Sequence, residues 1–255
     1  MDMQLKDRFT SLWVKYFDDA ALPICLFYSD DPSYESLLRP IKGWACLIGQ
    51  LTAVRQGQDL AFTGATIGCP GGQRYLGFNA QLRSGFEHFL SCGIPGKMEG
   101  ERYKKTPELV RDFIKNAPTP SAPAKCAVFK RWDKLAAQDH PEVVVFFSPP
   151  DVLAGLFTLA GFAESGPDSV IAPFGAGCAA IAQYPYREGK SPRPRAVLGM
   201  FDISARPYVP ETALSFAVPM AKFALMVGDM EESFLITASW AKVRGRIAKS
   251  GAAPG

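Results

Sequence analysis

Two cysteines of this chain directly follow a glycine in short glycine-rich segments. Cys69 lies between Gly68 and the run Pro70-Gly71-Gly72, and Cys178 follows Gly177. Glycine allows positive φ values and the close approach of other groups, so both segments are predicted to be shaped loops rather than regular strands or helices. Each loop follows a predicted strand, and the two thiols are therefore expected to meet at one end of a sheet. A thiolate in such a place binds a soft metal or attacks carbon.

Cys46 is the third candidate, because it lies early in a predicted helix from Trp44 to Arg55. Backbone N–H groups at helix starts, and by extension in glycine loops, are expected to lower the pKa of a nearby thiol. The other three cysteines are flanked by apolar residues and are predicted to be small buried hydrophobes, namely Cys25, Cys92 and Cys126. For the two loop cysteines, plain packing remains an alternative to chemistry.

The helices and strands predicted around these cysteines indicate an α+β fold, with mixed sheets and flanking helices. A Pro-rich break at 117–124 separates an N-terminal lobe, 1–116, from a C-terminal lobe, 125–255, and the two lobes forming one compact domain is the alternative. The predicted helices are 4–16, 44–55, 83–92, 107–116, 150–162, 219–228 and 231–248, and the predicted strands are 23–28, 60–63, 126–130, 143–147, 169–173, 196–201 and 213–218.

A weak internal repeat lies in the second half of the chain. Ala127 matches Ala196 and Pro150 matches Pro219, each at an offset of 69 residues (196 − 127 and 219 − 150). Each unit follows the order strand, turn with Asp, strand, Pro-led helix. The repeat predicts that 126–157 and 195–226 superpose as duplicated ββα units.

The cysteine segments resemble those of the DUF169 (ArCR-like) family. The segments that carry the resemblance are Cys46-x8-Arg55-x-Gly57, Ile67-Gly68-Cys69-Pro70-Gly71 and Gly175-x-Gly177-Cys178-Ala179. The likeness runs from about Leu22 to Val227, and the longer middle segment, 85–124, departs from the family pattern. The resemblance implies that Cys46, Cys69 and Cys178 belong to one site.

Three cysteines at one site without histidine suit a soft metal. The first hypothesis is an iron–sulfur protein in which Cys46, Cys69 and Cys178 hold a 4Fe-4S cluster, with redox or Lewis-acid catalysis as an activity. The glycines Gly68, Gly71 and Gly177 would assist by turning backbone N–H groups toward the sulfurs. Zinc is the second choice of metal.

Two further hypotheses need no metal. One is a cofactor-free thiol enzyme with Cys69 as the nucleophile. The other is a small-ligand binding or regulatory module whose cysteines only pack. Metal content separates the first hypothesis from these two, and thiol labelling rates separate the two from each other.

Composition and charge argue against several classes of partner and location. A net charge of +3 over 255 residues gives no basis for a nucleic-acid partner. The best apolar helix, 152–163, is shorter than the ~20 residues that span a bilayer, and the acidic start of the chain does not predict a secretory signal. We therefore expect a cytoplasmic protein without a membrane partner. The small-molecule ligand, the redox partner and homo-oligomer formation are left open.

Overall fold

The computed structural model describes residues 1–18, 20–39, 43–117 and 119–251. Over these residues the fold is α+β, as predicted, with a mixed sheet and helices on both of its faces. The strands are β1 (Ile24–Ser29), β2 (Leu60–Phe62), β3 (Cys126–Arg131), β4 (Val143–Ser148), β5 (Val170–Ile171), β6 (Ala196–Gly199) and β7 (Leu214–Pro219). The helices are α1 (Met3–Phe17), α2 (Leu47–Arg55), α3 (Pro70–Tyr75), α4 (Phe86–Phe89), α5 (Pro107–Asn116), α6 (Pro150–Ala160), α7 (Tyr184–Glu188), α8 (Met220–Asp229) and α9 (Ala238–Gly251).

The described part of the chain forms a seven-stranded sheet in the order β2-β3-β1-β4-β7-β6-β5. Neighbouring strands are antiparallel, except that β5 and β6 at one edge are parallel. Strands from both sides of 117–124 enter this sheet, and residue 118 of that break lies outside the described residues. The division into lobes 1–116 and 125–255 stays a prediction.

Alternation along the strands gives the sheet two apolar faces, because successive side chains point to opposite sides. On β1, Cys25 and Phe27 join one core, whereas Ile24 and Leu26 join the other. The first face, here called the aromatic face, packs against α1, α6, α8 and α9. The second, here called the cysteine face, packs against α2, α3 and the helical segment that follows Gly177.

The internal repeat is confirmed in its order of elements but not in its pairing. Both segments follow the order strand, strand, helix, as β3-β4-α6 and β6-β7-α8. However, β6 and β7 are antiparallel neighbours, whereas β1 lies between β3 and β4. The predicted superposition is therefore wrong, because a strand from far upstream enters only the first unit.

The prediction that the glycines around Cys69 prevent regular structure is also wrong. Pro70, Gly71 and Gly72 form the first turn of α3. Proline suits that position because its missing N–H would have no partner inside the helix. Glycine at 72 is required by packing, since a Cβ there would lie 2.8 Å from Cγ2 of Ile67. Among the described residues, no helix is both long and apolar enough to cross a membrane.

Candidate three-cysteine site

The cysteine face brings Cys46, Cys69 and Cys178 into one apolar cluster. Cys178 is buried in this cluster, and Cys46 and Cys69 are partly buried against it. The charge of each of the other two thiols affects the pKa of Cys178, so the three groups lie close enough to interact electrostatically. Cys25 and Cys126 lie on the aromatic face, on the other side of the sheet.

The route by which the thiols meet differs from the prediction. The strands that precede the two Gly-Cys segments, β2 and β5, occupy opposite edges of the sheet. The chain after each strand crosses back over the cysteine face, where α3 packs against the helical segment Ala179–Gln183. The thiols therefore meet over one face and not at one end of the sheet.

Each thiol lies at the beginning of a helical segment. Cys46 and Cys69 are the N-cap residues of α2 and α3. Cys178 directly precedes Ala179–Gln183, which is π-helical and continues into α7. Short π-helical segments are rare and are frequent at functional sites.

The predicted backbone N–H donor to sulfur is present at Cys69, but the N–H of Gly177 points elsewhere. The N–H of Gly72 donates to Sγ of Cys69 at 3.3 Å, which stabilises negative charge on that sulfur. The N–H of Gly177 points instead to Asp202, donating to its Oδ2 at 2.9 Å. A Cβ on Gly71 would lie 3.6 Å from Sγ of Cys69, which is an ordinary van der Waals contact. Packing therefore does not require a glycine at position 71. Gly68 lies between the turn at 64–66 and the N-cap Cys69.

Gly177 is needed for close packing. A Cβ there would lie 2.9 Å from Cβ of Ala205, 3.1 Å from Sδ of Met200 and 3.3 Å from Cγ1 of Ile48. Met200 itself has a positive φ of 70°, which is uncommon for a residue with a side chain. The chain after β6 therefore packs tightly against the start of the helical segment that follows Gly177.

The expected lowering of thiol pKa is wrong for two of the cysteines. Burial raises the pKa of the Cys178 thiol well above its usual range, and the charges of Cys69, Cys46 and Asp202 add to the effect. Burial also raises the pKa of the Cys46 thiol, although the backbone N–H groups of Gly49 and Ile48 oppose it. Desolvation outweighs the helix start here because the thiols lie in an apolar core.

Polar groups that the sequence did not single out complete the site. Burial raises the pKa of Tyr75 to about 12, with a contribution from the neighbouring Cys178. Asp202 lies in the segment after β6, where the repeat pattern predicts only a turn residue. No sequence signal separated it from other turn aspartates, because its approach to the thiols depends on packing between β6 and the Cys178 helix.

Cys92 does not fit its predicted role. It was expected to be a buried hydrophobe, but it is exposed. The predicted helix 83–92 is reduced to α4, and Cys92 follows it in an irregular segment. An exposed cysteine away from the apolar cores cannot be counted as packing.

The fold and the site together define an α+β protein with three thiols clustered on one face of a mixed sheet. The model of the DUF169 family, described as Uncharacterised ArCR, matches residues 14–229. The chain therefore belongs to the DUF169 family. No curated protein matches the chain, and no solved structure matches it.

Proposed function

We propose that this protein is an iron–sulfur protein whose cluster is held by Cys46, Cys69 and Cys178. The observation that carries the proposal is the meeting of three thiols from three separate segments in one apolar cluster. Thiolate is the ligand that iron–sulfur clusters use, and apolar surroundings with N–H donors to sulfur tune their potential. Such a cluster would supply electron transfer or an open iron for a substrate.

The proposal places a 4Fe-4S cluster first and a single zinc ion second, because three thiolates without histidine suit a soft metal. Sulfurs on one tetrahedral ion lie ~4 Å apart, whereas those on a cube lie ~6–7 Å apart. Within the described residues, no group of three or more His, Cys, Asp or Glu side chains is placed to hold one ion. The two metal groups therefore require different distances between the sulfurs of Cys46, Cys69 and Cys178.

In this proposal the chain has three tasks at the site. The buried position of Cys178 excludes water from one side, while the partly exposed Cys69 lies toward solvent. The Gly72 N–H stabilises charge on the Cys69 sulfur. The tight packing at Gly177 holds the Cys178 segment against α2. Because all six cysteines are free, we place the protein in the cytoplasm, where thiols stay reduced.

The test is the metal content of protein purified without oxygen. We expect iron and sulfide in similar amounts, together with the visible absorption of a cluster. Cys69→Ser should lose the iron, whereas Cys92→Ser, which removes an exposed thiol elsewhere, should keep it. Zinc in place of iron would support the second choice of metal, and iron loss equal in both variants would contradict the assignment of the ligands.

A second candidate is a cofactor-free thiol enzyme, favoured by the hydrogen bond to Cys69 and by its partial exposure. If no metal is bound, we expect Cys69 to alkylate faster than Cys178 and Cys25 near neutral pH. The measurement should be made in a Cys92→Ser background, because the exposed Cys92 would otherwise react early. Labelling of Cys69 only after unfolding would leave the packing role, in a small-ligand binding or regulatory module.

A further inference from the structure

One cation near the end of α7 has neither an ion pair nor an aromatic ring contact among the described residues. The four cations of α7 and of the loop that leads to β6 are Arg187, Lys190, Arg193 and Arg195. Nζ of Lys190 lies 4.2 Å from the centroid of the Tyr186 ring, and Arg193 and Arg195 each form ion pairs with carboxylates. Arg187 is exposed and has no such partner in that part of the chain. Its charge is therefore available to a ligand.

Arg187 lines a cleft beside the edge strand of the sheet. The cleft has a volume of about 360 Å³ and lies between α7 and the end of β5, which is the outermost strand. The apolar residues that line it are Ile171 and Pro173, and the polar ones include Tyr184, Arg187, Glu188 and Arg195. Clefts of roughly 300–1,000 Å³ that combine apolar walls with a few polar groups are typical of small-molecule sites.

Glu188 fixes the guanidinium of Arg195 in this cleft. Nε of Arg195 donates to Oε2 at 3.0 Å, and Nη2 donates to Oε1 at 2.8 Å. The backbone N–H of Arg195 also donates to Oε2 at 3.0 Å. Paired hydrogen bonds of this kind hold two planar groups in one relative orientation. A guanidinium has five N–H donors, so Arg195 retains donors for a ligand although its charge is balanced.

The charges of the cleft fit a ligand with a single negative charge. Glu188 balances Arg195, and the excess positive charge that remains belongs to Arg187. A carboxylate carries one negative charge and matches the planar fork of a guanidinium. A phosphate with two negative charges would place the second one near the carboxylate of Glu188, which is unfavourable.

We propose that this cleft binds a small organic carboxylate. The carboxylate group pairs with Arg187 and accepts hydrogen bonds from the remaining donors of Arg195. The carbon body of the ligand lies against Ile171 and Pro173, where it leaves water. The cleft is a site of its own, and this inference does not depend on a metal at the three cysteines.

Tyr184 connects the wall of this cleft to the cysteine face. Its ring lines the cleft and also packs against the apolar cluster of the cysteine face. Its hydroxyl donates to the carbonyl of Phe174 at 2.8 Å, and a Cβ on Gly175 would lie 2.9 Å from that hydroxyl. The tyrosine is therefore held in place from both sides, so this wall of the cleft is formed before a ligand binds.

The experiment measures the binding of benzoate and of hexanoate to the full chain by isothermal titration calorimetry at low salt. We expect saturable binding of at least one of them, and weaker binding of acetate, which lacks an apolar body, and of inorganic phosphate. Arg187→Gln should lower the affinity about tenfold or more, because a charge-assisted hydrogen bond is lost. Lys190→Gln is the matched control, since it removes the same charge three residues away and outside the cleft, and it should bind like the wild type.

Three results overturn the inference. The first is that neither benzoate nor hexanoate binds saturably, and the second is that phosphate binds more tightly than both. The third is an equal loss of affinity in Arg187→Gln and Lys190→Gln, which would show only a general attraction to positive charge. Should Arg187→Gln fail to fold, the unaltered protein decides by nuclear magnetic resonance. The Ile171 methyl signals must then shift on addition of the bound carboxylate while those of the exposed Ile236 stay unchanged, and an unshifted Ile171 overturns the site.

Discussion

The two faces of the sheet are packed by different kinds of residues and helices. On the aromatic face, Phe9 contacts Trp132 and Phe223 with ring centroids 4.9 Å apart in each pair, and four helices cover the strands. The cysteine face is covered by short helices, a π-helical segment and close backbone approaches at glycine. The aromatic face is thus packed by rings and helices, whereas the candidate site lies on the cysteine face.

Two charged groups on opposite faces have different kinds of partner. On α8, the buried Lys222 forms an ion pair with Glu164, which also pairs with Arg193. On the cysteine face, Asp202 is held by N–H and hydroxyl donors without an ion pair among the described residues. Lys222 and Glu164 are thus held by opposite charge, whereas the Asp202 carboxylate is oriented by uncharged donors.

The largest expected effect comes from the aromatic face. Phe9→Ala should lower the free energy of unfolding by about 3–5 kcal/mol, because it removes a fully buried ring and leaves a cavity. Urea denaturation measures the loss. If the proposed cluster is bound, the folded variant should retain the iron content of the wild type, and a loss of iron at low denaturant would show that the two faces are not independent.

A smaller loss of stability with a larger loss of metal is expected on the cysteine face. Gly177→Ala places a Cβ 2.9 Å from that of Ala205 and should cost about 1–3 kcal/mol through overpacking. If Cys178 holds the proposed cluster, its displacement should reduce iron retention several-fold at equal folded fraction. Gly245→Ala, where a Cβ meets nothing within 4 Å, is the matched control and should leave the iron content unchanged. Full iron retention in Gly177→Ala would contradict the role of this close approach.

The smallest effect is expected from the ion-pair network and depends on pH. Burial would raise the pKa of Glu164, but hydrogen bonds from Lys222 and Arg193 outweigh it and hold that pKa below its usual value. A carboxyl with a lowered folded pKa stabilises the protein above its unfolded pKa of about 4.3, and the contribution is lost as pH falls through the folded value.

Glu164→Gln should therefore cost about 1 kcal/mol at neutral pH, a value reduced by the partial exposure of the pair. The difference from wild type should disappear in acid, as thermal denaturation across pH 3 to 7 would show. A deficit that persists at the lowest pH would mean that Glu164 acts through packing and not through its charge.

Local patterns in the sequence predicted most elements of the fold. Val143 to Phe147 is a β-branched and aromatic run that becomes β4, and Thr106 with Pro107 marks the start of α5. Such signals depend on neighbouring residues alone, through strand preference and helix capping. The α+β class, the family and the three cysteines of interest could be predicted from the sequence for the same reason.

Tertiary structure decided what depends on distant segments. The insertion of β1 between β3 and β4, which ended the predicted superposition, is a pairing of segments about a hundred residues apart in sequence. The burial that raises the pKa of Cys46 and Cys178 comes from elements across the cysteine face. The exposure of Cys92 and the approach of Asp202 to Gly177 likewise follow from packing. Residue types and local spacing therefore determined which groups were available for chemistry, and the long-range packing of the sheet decided which of them meet.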